Sequence, residues 1–208
     1  MKNKKMKNER ANEEQLTLSK KQVDNVLGLY STGKINEAIE VIKALNENYP
    51  NVPLLFNLLG ACYNTLGQFD GAAQMFKTAF SIKPDYAEAY FNHGIVLREL
   101  GQLDNAVESY RSAISLIPNY PEAHNKLGIV YIDLKQYEAA IEHFEWAVAY
   151  KHDFTEAYNN LGVAQRENNQ IQSAIKNFEK AIAINSSYKL AHSNLLSIHD
   201  ELGKKDGQ

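Results

Sequence analysis

Between Tyr86 and Pro118 the chain reads Y-A-E-A-Y-F-N-H-G-I-V-L-R-E-L-G-Q-L-D-N-A-V-E-S-Y-R-S-A-I-S-L-I-P. Apolar residues recur three and four apart on both sides of Leu100-Gly101-Gln102. That is the spacing of two amphipathic helices joined by a tight turn. The same text returns thirty-four residues later as Y-P-E-A-H-N-K-L-G-I-V-Y from Tyr120, and stands thirty-four residues earlier as V-P-L-L-F-N-L-L-G-A-C-Y from Val52. A fixed period of this length predicts stacked helix hairpins.

With Ala87 as position one, the eighth position is Gly60, Gly94, Gly128 and Gly162. The twentieth is Ala38, Ala72, Ala106, Ala140 and Ala174. The twenty-fourth is Ile42, Phe76, Tyr110, Phe144 and Phe178, and the twenty-seventh is Leu45, Ala79, Ala113, Ala147 and Ala181. Small residues let two helices approach, and large ones fill the space beside the contact. Position thirty-two is Pro50, Pro84 and Pro118, where proline stops the second helix. The fifteenth position, Gly33, Gly67 and Gly101, predicts a left-handed turn. Lys135 and Asn169 replace glycine there, and His152 and Ser186 replace the proline, so the last two hairpins are expected to be softer.

This pattern resembles the tetratricopeptide repeat, over about residues 19 to 203. The resemblance implies an all-α fold, a right-handed α-solenoid of stacked antiparallel hairpins. Five units are expected near 19–52, 53–86, 87–120, 121–154 and 155–188, followed by a lone closing helix at 189–202. Residues 1–17 lack periodicity and are expected to form a disordered tail, with a second short tail at 204–208. In the first helix of the first hairpin, Gln22, Asn25 and Val26 depart from the pattern, as a polar cap would. Leu195, Leu196 and Ile198 make the closing helix apolar for such a cap. Either it packs back closely, or a further segment completes it.

The resemblance also implies that first helices line a concave groove. Its sixth position gives Leu58, Asn92, Lys126, Asn160 and Asn194, its fifth gives Asn57, Phe91, Asn125, Asn159 and Ser193, and its twelfth includes Arg98 and Arg166. An asparagine offers an acceptor and two donors, the complement of a peptide unit. The row is similar to the asparagine ladder of the tetratricopeptide superhelix in O-linked N-acetylglucosamine transferases, interrupted by Leu58 and Lys126. The candidate peptide-binding residues are Asn57, Asn92, Arg98, Asn125, Lys126, Asn160, Arg166 and Asn194. The family's carboxylate clamp needs Asn at the ninth position. Here that position is Leu27, Ala61, Ile95, Ile129 and Val163, so no chaperone tail is expected.

Composition narrows the function classes. With 44% hydrophobic and 23% charged residues the chain is of ordinary globular make-up, and it has no apolar run of membrane length. The N-terminus has no apolar core of a secretory signal, so a cytoplasmic protein is expected. Net charge is -3, with a slightly basic start and an acidic body, which argues against nucleic acid as partner, and without an apolar run no membrane partner is expected. A single cysteine, Cys62, excludes an internal disulfide. His93, His124, His192 and His199 stand at packing positions and make no metal motif, and neither phosphate-loop nor hydrolase motifs occur. No cofactor, metal or catalytic residue is therefore expected. Trp146 is out of place, on the outer face of a second helix with His143 and Tyr150 beside it, a candidate contact or a lone surface aromatic.

The reading is a non-enzymatic scaffold that binds an extended segment of a partner protein. The alternative is the substrate-recruiting module of a larger glycosyltransferase, sulfotransferase or oxygenase. The partner's identity and the oligomeric state stay open.

Overall fold

A computed structural model describes the backbone of residues 18–206 and the side chains of residues 18–203. The expected tail at 1–17 lies outside the described residues. Among the described residues eleven helices follow one another: α1 Lys20–Ser31, α2 Ile35–Asn48, α3 Pro53–Thr65, α4 Phe69–Ile82, α5 Ala87–Glu99, α6 Leu103–Leu116, α7 Pro121–Asp133, α8 Tyr137–Tyr150, α9 Thr155–Glu167, α10 Ile171–Ile184 and α11 Lys189–Asp206. The all-α solenoid class expected from the period is the fold found. None of the described helices is long and apolar enough to cross a membrane.

The helices group into two compact units, divided between Pro84 and Asp85. Unit one holds α1–α4 and unit two holds α5–α11. The thirty-four-residue period of the sequence runs unchanged through Pro84.

One close contact recurs in four of the hairpins. A Cβ built on Gly128 would lie 2.7 Å from the Phe144 ring, and one on Gly162 would lie 2.6 Å from Phe178. Gly60 with Phe76 and Gly94 with Tyr110 repeat the arrangement. The eighth-position glycine therefore makes room for the twenty-fourth-position ring. In the first hairpin these positions hold Val26 and Ile42, both wholly buried in one core cluster, the smaller Ile42 standing opposite a side chain where the rings stand opposite glycine. Ser19 caps α1 by accepting from the Gln22 backbone N–H, while the Gln22 side chain accepts from the Ser19 N–H.

The turns inside the hairpins follow the expected geometry. Gly33, Gly67 and Gly101 have φ of 76°, 71° and 71°, and Lys135 and Asn169 adopt 59°. Lys135 thus holds a left-handed conformation that a side chain disfavours by about 1 kcal/mol.

At the end of unit two, α11 runs to Asp206, beyond the expected stop at residue 202. Gly203 keeps a negative φ and no proline follows, so the helix carries through the glycine. Ile198 is buried against α10 and Leu195 is half-buried, so the helix does pack back. Leu196 is 63% exposed and stands at the eighth position, where the four preceding hairpins carry glycine.

Candidate functional site

In unit two the first helices α5, α7, α9 and α11 also touch one another, α7 with α5 and α9, and α9 with α11. The candidate residues therefore divide into two kinds. Asn125 and Asn159 are 0% and 4% exposed, and Asn57 in unit one is 2% exposed. These three fifth-position asparagines are thus buried, a correction to their assignment as groove lining, while Phe91 is half-buried and Ser193 exposed at the same position. Asn92, Arg98, Lys126, Asn160, Arg166 and Asn194 are half-buried.

The amides are joined to each other. Asn160 Nδ2 donates to Asn125 Oδ1 at 3.0 Å, and Asn194 Nδ2 donates to Asn159 Oδ1 at 2.9 Å. In both pairs the sixth position of one repeat reaches back to the fifth of the repeat before. Where that fifth residue is Phe91, Lys126 has no amide to reach and donates instead to Glu156 Oε1 at 3.3 Å. The same oxygen accepts from Asn125 Nδ2 at 3.0 Å. Lys126, Glu156, Asn125 and Asn160 so form one polar chain across α7 and α9.

The cations are also paired. Arg98 Nε contacts Asp133 Oδ2 at 2.6 Å, and Arg166 contacts Glu167 at 3.1 Å. The Asp133 contact and the positive charge it stabilises hold the Arg98 guanidinium above its usual pKa. The acidic residues at the helix starts are therefore more than dipole partners: Glu156 binds Asn125 and Lys126, and Glu122 binds Lys151 at 3.1 Å.

A second set of polar contacts was missed in the sequence. Position twenty-three faces the first helix of its own hairpin, and in three repeats it is polar. Ser109 Oγ lies 2.9 Å from His93 Nδ1, His143 Nδ1 lies 3.1 Å from His124 Nδ1, and Asn177 Nδ2 donates to Gln165 Oε1 at 2.7 Å. The available signal was a polar residue at an inward-facing place, which demands a polar partner.

His124 Nε2 lies 3.1 Å from the Pro118 carbonyl, which can only accept, so Nε2 carries the proton. Neutral His124 then accepts at Nδ1, and His143 Nδ1–H donates to it. Burial lowers the pKa of both, and the neighbouring His124 lowers His143 further, to about 4. Trp146 and Tyr150 stack beside this pair at 5.7 Å between centroids and stay exposed, as the outer-face placement of Trp146 implied. Cys62 is wholly buried, and burial raises its thiol pKa. Among the described residues no three of His, Cys, Asp and Glu gather in a way that would hold a metal ion.

Comparison with known proteins adds the family context. Models described as TPR repeat match residues 94–134 and 128–169, and models described as tetratricopeptide repeat match 55–86 and 155–188. Together they cover more than half of the chain. The TPR repeat-containing protein MJ0940 of Methanocaldococcus jannaschii is 34% identical over 65 residues, 31% of this chain and 20% of its own length. This chain therefore aligns with only one fifth of that relative. The crystal structure of MamA superposes with a TM-score of 0.72 at 27% identity, over 76% of this chain and 93% of that one. The structure of YrrB, described as a TPR protein with an unusual peptide-binding site, gives 0.70 at 21% identity, over 88% and 95%, a likeness of fold.

Proposed function

Because the chain belongs to the tetratricopeptide-repeat family, we propose that it is a protein-interaction scaffold whose first helices in unit two hold an extended segment of a partner. One observation carries this reading: half-buried amides on successive first helices are already oriented by their neighbours. Asn160 and Asn194 each spend one N–H on the preceding repeat. By count, a second N–H and carbonyl capacity remain on each, enough to meet a peptide unit. Because the inter-repeat bond fixes the side chain beforehand, little rotamer entropy is lost on binding.

The paired cations refine the partner. Arg98, Lys126 and Arg166 each face a carboxylate of the chain itself. An acidic peptide would have to displace these contacts, so the row favours backbone recognition over charge recognition.

The test uses peptides selected from a random display library on the full chain. Asn160→Ala should weaken their binding about tenfold, the loss of one or two hydrogen bonds. Glu179→Ala, on exposed α10 surface, should leave it unchanged. Unaltered binding to Asn160→Ala, with helicity intact, would remove α9 from the site and sink the proposal.

A further inference from the structure

Trp146 is the only tryptophan of the chain and is 46% exposed. It stacks on Tyr150, 42% exposed, with 20° between the ring planes. The buried His124 ring borders both, at 6.4 Å from Trp146 and 5.7 Å from Tyr150. His124 is itself pinned by the Pro118 carbonyl and by His143. Two large rings are thus held in place while their outer faces meet solvent.

The charge on α8 itself has one sign. Helix α8 reads Y-E-A-A-I-E-H-F-E-W-A-V-A-Y, with Glu138, Glu142 and Glu145 and no lysine or arginine. All three carboxylates are exposed, and none takes part in an ion pair among the described residues. Glu142 lies one helical turn before Trp146, and its charge acts on both His124 and His143. Two cations lie nearby: Arg111, whose charge acts on His143, donates to the Tyr131 hydroxyl at 2.7 Å, and Lys151 pairs with Glu122.

We propose that this face of α8 binds a lysine- or arginine-bearing segment of a partner protein, one cationic head lying over the Trp146 ring with Glu142 and Glu145 as counter-charges. Indole has the strongest attraction for cations among the aromatic side chains. A ring already stacked on Tyr150 presents its open face without rearrangement, and unpaired carboxylates on the same surface select positive over neutral partners. The proposal uses none of the amide-row residues, so the two surfaces stand or fall separately.

Trp146 is its own reporter. A hexa-arginine peptide titrated into the full chain should shift tryptophan emission saturably, and a hexa-citrulline peptide of the same shape should not. Glu142→Gln with Glu145→Gln should weaken the arginine peptide three- to tenfold, and Tyr150→Ala should weaken it similarly. All three positions are exposed, so circular dichroism should stay unchanged. Absence of a saturable shift, equal binding of citrulline, or full affinity in the glutamine variant would overturn the proposal. So would an emission change on replacing Lys2, Lys4, Lys5 and Lys7 by Gln in the absence of peptide, since the chain's own basic start would then occupy the face.

Discussion

Ile42 and Val26, both wholly buried in one core cluster, hold the two positions that an aromatic ring and a glycine fill in the next four hairpins. If shape complementarity governs these contacts, Ile42→Phe should clash with Val26 and destabilise the protein by about 1–3 kcal/mol. Adding Val26→Gly should recover most of that loss, apart from the roughly 1 kcal/mol that glycine costs a helix. A double-mutant cycle in denaturant measures the coupling; additive losses would show that the two sites are independent. The glycine, alanine and aromatic spacing was legible in the sequence because each residue's size is stamped by a fixed neighbour. The His124–His143 bond was not. Sequence placed His124 in an aromatic slot, and its ring does sit there, but which ring nitrogens meet depends on rotamers rather than on spacing.

Within single elements, the turn after α7 carries an unfavourable residue. Lys135 at φ 59° should accept glycine well: Lys135→Gly is expected to raise stability by up to about 1 kcal/mol, read as a higher urea midpoint. With Asn169 in the same conformation, the hairpins α7–α8 and α9–α10 should exchange amide hydrogens faster than α5–α6. Slower exchange there would contradict the softening read from the loss of glycine and proline. The fifth-position asparagines show where sequence reasoning stopped. Their recurrence was visible, but burial between first helices follows from the packing of α7 on α9 and of α9 on α11, which no single hairpin encodes. Asn125→Ala would take the acceptor from Asn160 Nδ2 and one of the two donors from Glu156, which keeps Lys126, and should destabilise by about 1–3 kcal/mol. A loss below about 0.5 kcal/mol, the size of an ordinary surface effect, would mean that water replaces the amide.

Across the whole molecule, acid should act unequally. All six histidines lie beyond residue 84 and so in unit two. His143 titrates at about 4 in the folded protein, against roughly 6.5 when unfolded, and the His124 pKa is lowered as well. Between these values the unfolded chain binds more protons than the folded one. The stabilising effect of keeping the pair neutral is therefore complete above about pH 6.5 and is lost as pH falls toward 4. Glu142 opposes the shift and Arg111 adds to it, and the net direction for His143 remains downward. Hydrogen exchange at pH 5, corrected for intrinsic rates and compared with pH 7, should show protection falling in α7 and α8 before α1–α4. Replacing His143 by Gln should flatten that dependence, and an undiminished difference would assign it to other groups.

Leu196 bears on what can be laid against α11. In four hairpins the second helix sets its twenty-fourth-position ring on the eighth-position glycine of the first helix. A helix placed on α11 in the same register would set that ring on Leu196 instead. Leu196 thus acts as a size filter, passing a small side chain and refusing an aromatic one, and an engineer wishing to pair α11 with a copy of any of these second helices would first write Leu196→Gly.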